Sequence, residues 1–294
     1  MFHLHPHGHT PKRVVVLGAN GFVGRSAVVQ LASEGLSVLP IPRNELDLLT
    51  NTAADELTKI LKPDDSVLFV AAQAPVRNNQ MLIDNLRMAS SVCQAIDNQV
   101  VSHLIYISSD AVYADDPSPL SEKSITAPDS LHGIMHVTRE HMLRTVAKVP
   151  ICVLRPTLIY GVGDPHNGYG PNRFIRQAIS NTDLCLFGKG EEKRDHIWIG
   201  DVARYIKNVL IHKSVGVLNL CSGVTITFDE IAKTILKNID CTSTIRYVDR
   251  SGPMPHNGYR PFDPSLCRRL FPDFTAVRPS EGIEACIKEF LAVK

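Results

Sequence analysis

Three glycines near the start of the chain have the spacing of a phosphate-binding turn. In the segment Lys12–Gly24, KRVVVLGANGFVG, four apolar residues precede Gly18, and two further glycines follow at three-residue intervals. A turn between a strand and a helix presents backbone N–H groups and a helix N-terminus, and both favour a pyrophosphate group. We expect Gly18 to permit the turn, Gly21 to let the backbone approach the phosphates, and Gly24 to let the helix pack closely. The spacing predicts a dinucleotide site; a tight turn without a ligand is the alternative.

The arginine after the next predicted strand, Ser37–Ile41, bears on which dinucleotide would bind. In folds that prefer NAD, an acidic side chain near this position bonds the ribose hydroxyls. Arg43 stands here instead, and a guanidinium suits the 2′-phosphate of NADP through forked, charge-assisted hydrogen bonds. A solvated surface arginine is the alternative interpretation. Asp47 and Leu48 follow in a turn that could touch the adenine, so the sequence favours NADP(H), with NAD(H) as the other option.

The elements that must position these residues alternate between strand and helix. Apolar runs predict buried strands at Ser66–Ala72, Leu104–Ser108 and Ile151–Leu154, and an amphipathic helix at Met81–Asp97. This alternation predicts an α/β fold with a doubly wound parallel sheet of the Rossmann type. The segment Gly161–Pro171 is rich in Gly, Pro, Asp and Asn, and it is predicted to be a long loop.

Composition and charge narrow the class of protein. The chain has 294 residues, of which 44% are hydrophobic and 21% charged, and its net charge is +1. This balance predicts neither a nucleic-acid nor a membrane-surface partner. The sequence shows no apolar run near the roughly 20 residues of a membrane span, and no signal peptide. Seven cysteines without a C-x-x-C pair indicate reduced thiols, so we expect a cytoplasmic protein.

The first eleven residues are rich in histidine. His3, His5, His7 and His9 alternate along the segment, so a strand would place all four imidazoles on one side, where they could bind a metal. We interpret residues 1–11 as a polar N-terminal extension and assign no function to them.

Six collinear stretches resemble the extended short-chain dehydrogenase/reductase family, and within it the nucleotide-sugar epimerase, dehydratase and reductase branch. The resemblance runs from Lys12 to about Phe290. The matching stretches are GANGFVG at Gly18–Gly24, ISSDAVY at Ile107–Tyr113, LRPTLIYG at Leu154–Gly161, KRDHIWIGDVA at Lys193–Ala203, GVLNLCSG at Gly216–Gly223 and RPFDPSLCRRLFPDF at Arg260–Phe274. The stretch RNELDLL at Arg43–Leu49 is most similar to NADP-using 4-keto-sugar reductases.

The resemblance implies a domain organisation and an oligomeric state. A Rossmann domain would comprise residues 12–165 and about 196–222, and a smaller substrate-binding lobe about 166–195 and 223–294. The family habit is a homodimer formed through two helices, here Met81–Asp97 and the helix bearing His132. The residues implied to bind the cofactor, beyond the three glycines and Arg43, are Asn20, Phe22, Val23, Asp47, Leu48, Ala71, Ala72 and Tyr160.

The resemblance also assigns catalytic positions after the predicted strand Leu104–Ser108. The family carries a Ser or Thr there, which Ser109 matches, and a hydroxyl can donate a hydrogen bond to a sugar oxygen as hydride moves. Capping of the strand end is the alternative role for this serine. Asp110 matches the general acid of the dehydratases, but Ala111 stands where they carry a glutamate base. The missing carboxylate argues against dehydration.

At the next catalytic positions the sequence departs from the family. The pattern Tyr-Gly-x-Ser-Lys aligns with His132-Gly133-Ile134-Met135-His136, followed in register by Glu140. An i, i+4 pair stays on one helix face, so the geometry survives. His132 could be the acid/base with His136 bonding the ribose. Alternatively, Asp110 transfers the proton, or the site is silent. Metal binding by His132, His136 and Glu140 is a further alternative, although the family site holds no metal.

Three residues are implied to bind the diphosphate of a nucleotide-sugar substrate. They are Asn172, Arg194 and Arg260, and a pair of guanidinium groups can bind phosphate oxygens bidentately. The sequence therefore predicts a nucleotide-sugar 4-keto reductase or epimerase that transfers hydride between a nicotinamide and a sugar carbon. A catalytically silent protein that binds NAD(P) or a nucleotide sugar is the alternative.

Overall fold

The fold is taken from a computed structural model, which describes residues 1–146 and 149–292. The chain forms two compact units. The first unit comprises Met1–Ala114, Glu122–Pro156 and Val202–Leu220, and the second comprises Asp115–Ser121, Thr157–Asp201 and Cys221–Lys294. The predicted domain boundaries stay a prediction. Residues 115–121, 157–165, 196–201 and 221–222, which were predicted for the Rossmann domain, belong to the second compact unit.

The elements alternate along the chain much as the sequence predicts, with ends shifted by a few residues. The strands are β1 (Phe2–His3), β2 (Arg13–Leu17), β3 (Val38–Ile41), β4 (Asp65–Phe69), β5 (His103–Ile107), β6 (Ile151–Pro156), β7 (Leu158–Tyr160), β8 (Leu184–Phe187), β9 (Lys193–Trp198), β10 (Ser214–Leu220), β11 (Thr225–Thr227), β12 (Ile245–Val248) and β13 (Tyr259–Arg260). The helices are α1 (Phe22–Ser33), α2 (Ala53–Ile60), α3 (Asn79–Asn98), α4 (Leu131–Arg144), α5 (Pro171–Ile179), α6 (Ile199–Ile211), α7 (Phe228–Asn238), α8 (Ser265–Leu270) and α9 (Pro279–Ala292).

The first unit is built on a seven-stranded sheet with the order β1-β10-β6-β5-β4-β2-β3. All neighbouring pairs from β10 to β3 are parallel, and α1 to α4 connect or flank them. Strands β4 and β5 are buried along their whole length, as expected for strands covered on both faces. The predicted doubly wound parallel sheet of the Rossmann type is confirmed.

The histidine-rich N-terminal segment adds a short antiparallel strand to this sheet. Phe2 and His3 pair with Val215 and Ser214 at the edge of β10. The Nδ1 atom of His3 lies 2.8 Å from Ser214 Oγ, which anchors the segment. Within residues 1–11, only these two form a strand. The segment predicted to be an extension therefore contributes its first residues to the sheet.

The described part of the second unit is built mainly from two small sheets and from helices that pack together. Strand β9 pairs with β7, β11 and β13, while β8 pairs with β12. Helix α7 packs against α5 and α9, and their core is apolar and aromatic. Thr227 and Glu230 form a reciprocal capping box at the start of α7. None of the helices within residues 1–146 and 149–292 has the length and hydropathy of a membrane-spanning segment.

Candidate functional site

The glycine turn between β2 and α1 has the geometry that its spacing predicts. Gly18 has φ +90°, and a Cβ there would lie 2.8 Å from backbone atoms of Ala71. A Cβ at Gly24 would overlap the carbonyl oxygen of Gly18, so α1 packs directly on the turn. Helix α1 begins at Phe22 with no side chain capping it. Its first N–H groups, including that of Val23, have no acceptor within the helix and face outward from its N-terminus.

A cavity of about 210 Å³ in the first unit adjoins this turn. Eight of the residues predicted to bind the cofactor line it: Gly18, Asn20, Gly21, Arg43, Asp47, Leu48, Ala71 and Ala72. The lining also includes residues that the sequence did not predict, among them Leu46, Gln73 and Met88. Leu46 directly precedes Asp47, Gln73 directly follows Ala72, and Met88 lies on helix α3. This cavity is the main structural evidence for a dinucleotide site.

Arg43 lies at this cavity in an ion pair. Its Nη2 atom is 3.1 Å from Asp47 Oδ2, and the arginine side chain is 69% exposed. Asp47 Oδ1 also accepts a hydrogen bond from the backbone N–H of Leu49, which holds the turn. An exposed guanidinium at a cavity rim is available to an anionic ligand, because an exposed ion pair is weak.

The predicted catalytic serine holds a turn. Ser109 Oγ accepts a hydrogen bond from the N–H of Ala111 at 3.1 Å and donates to Asp110 Oδ1 at 3.4 Å. It thereby caps the 3-10 turn Asp110–Val112. Asp110 is buried, with an exposed fraction of 8%. The serine thus caps the turn that follows β5, and its catalytic role stays a prediction.

Helix α4 lies against that turn. Its N-cap is Ser130, whose side chain accepts from the N–H of Gly133. A Cβ at Gly133 would overlap the carbonyl oxygen of Ala111, so the first turn of α4 and the turn after β5 are in direct contact. The structure therefore brings the segment carrying Ser109 and the helix carrying His132 together.

The two histidines of α4 lie on one face of the helix, as their spacing predicts, and their rings meet edge to face. The rings of His132 and His136 are 4.7 Å apart and nearly perpendicular. His136 is 5% exposed, and its Nδ1 atom lies 2.7 Å from the hydroxyl oxygen of Tyr106. Burial lowers the pKa of His136 well below its usual value, and the charges of His132 and Arg139 lower it further. His136 is consequently a neutral imidazole at physiological pH.

Glu140, the third member of the metal-binding alternative, is committed elsewhere. Its carboxylate accepts two hydrogen bonds from Arg155, at 2.9 and 2.6 Å, and one from Ser108 Oγ at 2.7 Å. Within the described part of the chain, no group of three or more His, Cys, Asp or Glu residues is arranged to hold a metal ion. The contacts of Glu140 do not support the metal-binding alternative.

In the second unit, the two arginines predicted to bind phosphate are neighbours. Arg194 on β9 and Arg260 on β13 are register partners across a parallel pair. Arg194 Nη1 lies 3.2 Å from Glu192, and Arg260 Nη1 lies 2.6 Å from Asp115. His256, also bonded to Asp115, lies 3.1 Å from Arg260 Nη1. The sequence did not predict His256, because its contact with Asp115 joins residues that are far apart along the chain.

Two further predicted positions have other tasks in the second unit. Asn172 accepts from the N–H of Gly161 and donates to Asp164, so its amide holds the loop 161–170. Its contact with a diphosphate stays a prediction. Tyr160 is 1% exposed, and its hydroxyl points to the carbonyl oxygen of Pro279. Its side chain packs in the apolar core of this unit, and the placement of Tyr160 beside the nicotinamide stays a prediction.

Comparison with known proteins identifies the family to which the chain belongs. The model of the NAD dependent epimerase/dehydratase family matches residues 14–221. The chain belongs to this family, whose members are NAD(P)-dependent nucleotide-sugar epimerases, dehydratases and reductases.

The names of individual relatives denote different reactions. An uncharacterized UDP-glucose epimerase, YtcB of Bacillus subtilis (strain 168), is 24% identical over 209 residues, which cover 68% of this chain and 65% of that protein. The dTDP-4-dehydro-6-deoxy-D-allose reductase of Streptomyces bikiniensis is 23% identical over 275 residues, covering 80% of this chain and 83% of that protein. Relatives at this identity do not select one reaction for this chain.

Solved structures show the same fold. UDP-glucuronic acid 4-epimerase from Bacillus cereus, in complex with UDP-glucuronic acid and NAD, has a TM-score of 0.82 and 22% identity, with coverage of 96% of this chain and 100% of that chain. A GDP-L-fucose synthetase from Naegleria fowleri bound to NADP has a TM-score of 0.85 and 16% identity, with coverage of 97% and 95%. Both nicotinamide cofactors therefore occur among proteins of this fold.

Proposed function

We propose that the chain is an NADP-preferring enzyme that transfers hydride between the nicotinamide and a sugar carbon of a nucleotide-diphosphate sugar. Its reaction would be that of a 4-keto-sugar reductase or an epimerase, with the reductase favoured through Arg43. The single observation that carries the proposal is the cavity at the glycine turn, lined by eight residues of the predicted cofactor site. Relatives whose names denote a reductase and an epimerase support both reactions.

The residues present fit a dinucleotide. Gly18 and Gly24 leave no room for a side chain, which keeps the turn tight, and the open N-terminus of α1 suits a pyrophosphate. Ala71 and Ala72 line the cavity with small side chains, and Arg43 would pair with a 2′-phosphate. A bound nicotinamide would supply reversible hydride exchange with a sugar carbon.

The chain's own groups would then bind the sugar and move a proton. Ser109 would donate a hydrogen bond to the reacting sugar oxygen, and His132 would exchange a proton with it. His136 would donate a hydrogen bond to the ribose of the cofactor. Arg194 and Arg260, held side by side by β9 and β13, would bind the diphosphate, since two guanidinium groups match its oxygens.

The cofactor preference is tested by replacing Arg43. Titration of purified protein with NADPH and NADH, followed by nicotinamide fluorescence, should show tighter binding of NADPH. In the Arg43→Ala variant we expect NADPH binding to weaken about 10-fold or more, because a charge-assisted contact is lost, while NADH binding changes little. Arg269→Ala, at an exposed arginine of the second unit, is the control and should leave both affinities unchanged. Equal affinity of the native chain for both cofactors would contradict the preference.

The reaction is tested with a panel of substrates. Consumption of NADPH in the presence of nucleotide-4-keto sugars would identify a reductase, and interconversion of C4 epimers without net consumption of cofactor would identify an epimerase. Replacement of His132 by Ala should lower turnover at least 100-fold if this imidazole is the acid/base. Unchanged turnover in that variant would assign the proton transfer to another group, such as Asp110.

A second candidate function is binding without catalysis. It is favoured by the burial of His136 and by the engagement of Ser109 in a cap, because both groups already have protein partners. A chain that binds NADPH and a nucleotide diphosphate, yet converts no member of the substrate panel, would support this candidate over the enzyme.

We also propose a homodimer formed by α3 and α4. Each helix exposes an isoleucine, Ile83 at 51% and Ile134 at 39%, and a partner helix would cover both side chains. Light scattering should give the mass of a dimer, and Ile83→Lys should shift it toward the mass of one chain. A native chain that scatters as a monomer would refute the dimer.

A further inference from the structure

His136 has a buried phenol as its partner, and this partner decides what the imidazole can do. Tyr106 on β5 is 0% exposed, and its hydroxyl oxygen lies 2.7 Å from His136 Nδ1. Since a neutral imidazole carries one N–H, only one of its two nitrogens can donate a hydrogen bond. The direction of the bond from Tyr106 therefore fixes which nitrogen donates.

Two features of the site indicate that the phenol donates. Among residues 1–146 and 149–292, the Tyr106 hydroxyl interacts with Nδ1 of His136 and with the guanidinium of Arg139, and of these two groups only Nδ1 can accept its hydrogen. If the phenol accepted from Nδ1–H, its own hydrogen would be buried without an acceptor, which costs more than an unfilled lone pair. Burial raises the pKa of Tyr106 to about 12, so the phenol keeps this hydrogen.

The neighbouring arginine favours the same direction. Arg139, one turn after His136, is fully buried and donates to the carbonyl oxygens of Asn85 and Ala71 at 2.8 and 2.9 Å. Its positive charge acts on the Tyr106 phenol, which orients the oxygen toward the guanidinium and the hydrogen away from it. The hydrogen is thereby left to point at His136.

We propose that Tyr106 is a positioning residue that holds His136 in the Nε2–H tautomer, so that the imidazole is a fixed hydrogen-bond donor to the ribose of the cofactor. The inference rests on the proposed function, in which His136 bonds the ribose. A lysine at this position would be a donor in every orientation, whereas a histidine whose Nδ1 is bonded to Tyr106 needs its proton on Nε2. Tyr106 supplies that condition, with Arg139 orienting the phenol.

The tautomer can be measured without any cofactor. Nitrogen-15 NMR of histidine-labelled protein distinguishes a neutral Nε2–H imidazole from an Nδ1–H imidazole, and the His136→Gln variant identifies which of the 12 histidines is His136. We expect the Nε2–H pattern in the native chain and its loss or mixing in Tyr106→Phe. The control is Tyr113→Phe, which removes another buried phenol that donates to Asn219 at 2.7 Å, and it should leave the His136 pattern unchanged.

Cofactor binding then tests what the tautomer does. Tyr106→Phe should weaken NADPH binding roughly 10-fold in the native background, because part of the His136 population would no longer donate. In the His136→Gln background the same change should have little effect, since a Gln amide always carries N–H donors. A merely structural role of Tyr106 would weaken binding equally in both backgrounds.

The outcomes separate this inference from the proposed function. An Nδ1–H pattern in the native chain, or an unchanged pattern in Tyr106→Phe, overturns the inference whatever the cofactor does. NADPH binding that Tyr106→Phe leaves unchanged in the native background also overturns it, while the proposed function stands. A native chain that binds no nicotinamide cofactor refutes both the proposed function and the ribose contact, and the NMR pattern still decides the tautomer.

Discussion

At the scale of single residues, the first unit depends on a buried ion pair. Glu140 and Arg155 have side chains that are 2% and 5% exposed, and they meet through two hydrogen bonds. Arg155 also donates to the hydroxyl of Tyr113 at 2.9 Å, which links α4, β6 and the turn after β5. Removing one member of such a pair leaves the other charge buried without compensation.

We therefore expect Glu140→Gln to lower the free energy of unfolding by about 3 to 5 kcal/mol. The matched control is Arg144→Ala, because Arg144 is an exposed partner of the same carboxylate, at 3.2 Å and 41% exposure. That change should cost less than about 1 kcal/mol. Urea unfolding followed by circular dichroism measures both values, and equal losses in the two variants would show that the buried pair has no special role.

The residues that the sequence predicted are those whose signal is local. The glycine turn was recognisable because strand, Gly18 and helix follow one another within a few residues, and the structure places this turn at a cavity. The partner of His136 was not predictable in this way, since Tyr106 lies 30 residues earlier on another element. The adjacency of Arg194 and Arg260 likewise depends on strand pairing between distant segments, and only the family resemblance anticipated it.

At the scale of elements, the contact between β2, the glycine turn and α1 depends on the absence of two side chains. Gly24 meets the carbonyl oxygen of Gly18, which is backbone and cannot rotate away. Gly21 has more room, since a Cβ there would lie 3.3 Å from the same oxygen. The two glycines therefore differ in what they contribute: one permits helix packing, and the other keeps the backbone accessible to a ligand.

This difference predicts separate effects of two alanine substitutions. Gly24→Ala should lower the free energy of unfolding by about 1 to 3 kcal/mol and also weaken cofactor binding, because α1 must move away from the turn. Gly21→Ala should mainly weaken cofactor binding and change stability by less than about 1 kcal/mol. Gly168→Ala is the control, since nothing lies within 4 Å of its Cβ position. A Gly21→Ala variant that is as unstable as Gly24→Ala would contradict this division.

Element boundaries show why tertiary structure limits prediction from sequence. The predicted strand Ser66–Ala72 ends at Phe69 in the structure, because the next residues leave β4 to line the cavity. The histidine-rich segment gave no periodic hydrophobic signal, and its short strand β1 forms only because the edge of β10 is there to pair with. Both features depend on contacts that the local sequence does not encode.

At the scale of the whole molecule, buried titratable groups link stability to pH. Burial lowers the pKa of His103 to about 4, and Lys213 and His5 act in the same direction. Burial also lowers the pKa of His196 to about 3, with Arg194 contributing, and that of His136 well below its usual value. Burial raises the pKa of Asp195 to about 6, even though Ser222, Gly223 and Thr157 donate hydrogen bonds to it.

The sign of the pH dependence follows from these shifts. Each buried histidine has a folded pKa below that of the unfolded chain, so its contribution to stability is present above about pH 6.5 and is lost as the pH falls. Asp195 has a raised folded pKa and acts oppositely, since it gains stability as the pH falls from about 6 toward 4. On acidification, the three histidines lose more stabilising free energy than Asp195 gains. Acid should therefore destabilise the fold between about pH 6.5 and 5.

We expect the free energy of unfolding to fall by roughly 2 to 5 kcal/mol across that range, at about 1.4 kcal/mol per pH unit for each net proton bound on unfolding. Urea unfolding at a series of pH values measures it. His103→Gln removes one of the three groups. Because this variant loses the hydrogen bond from His103 to Ser214 at every pH, the test is how steeply the free energy of unfolding changes with pH, and not its absolute value. The variant should lose less stability than the native chain on acidification. A native profile that is flat or rises between pH 6.5 and 5 would mean that the buried histidines gain their protons without unfolding.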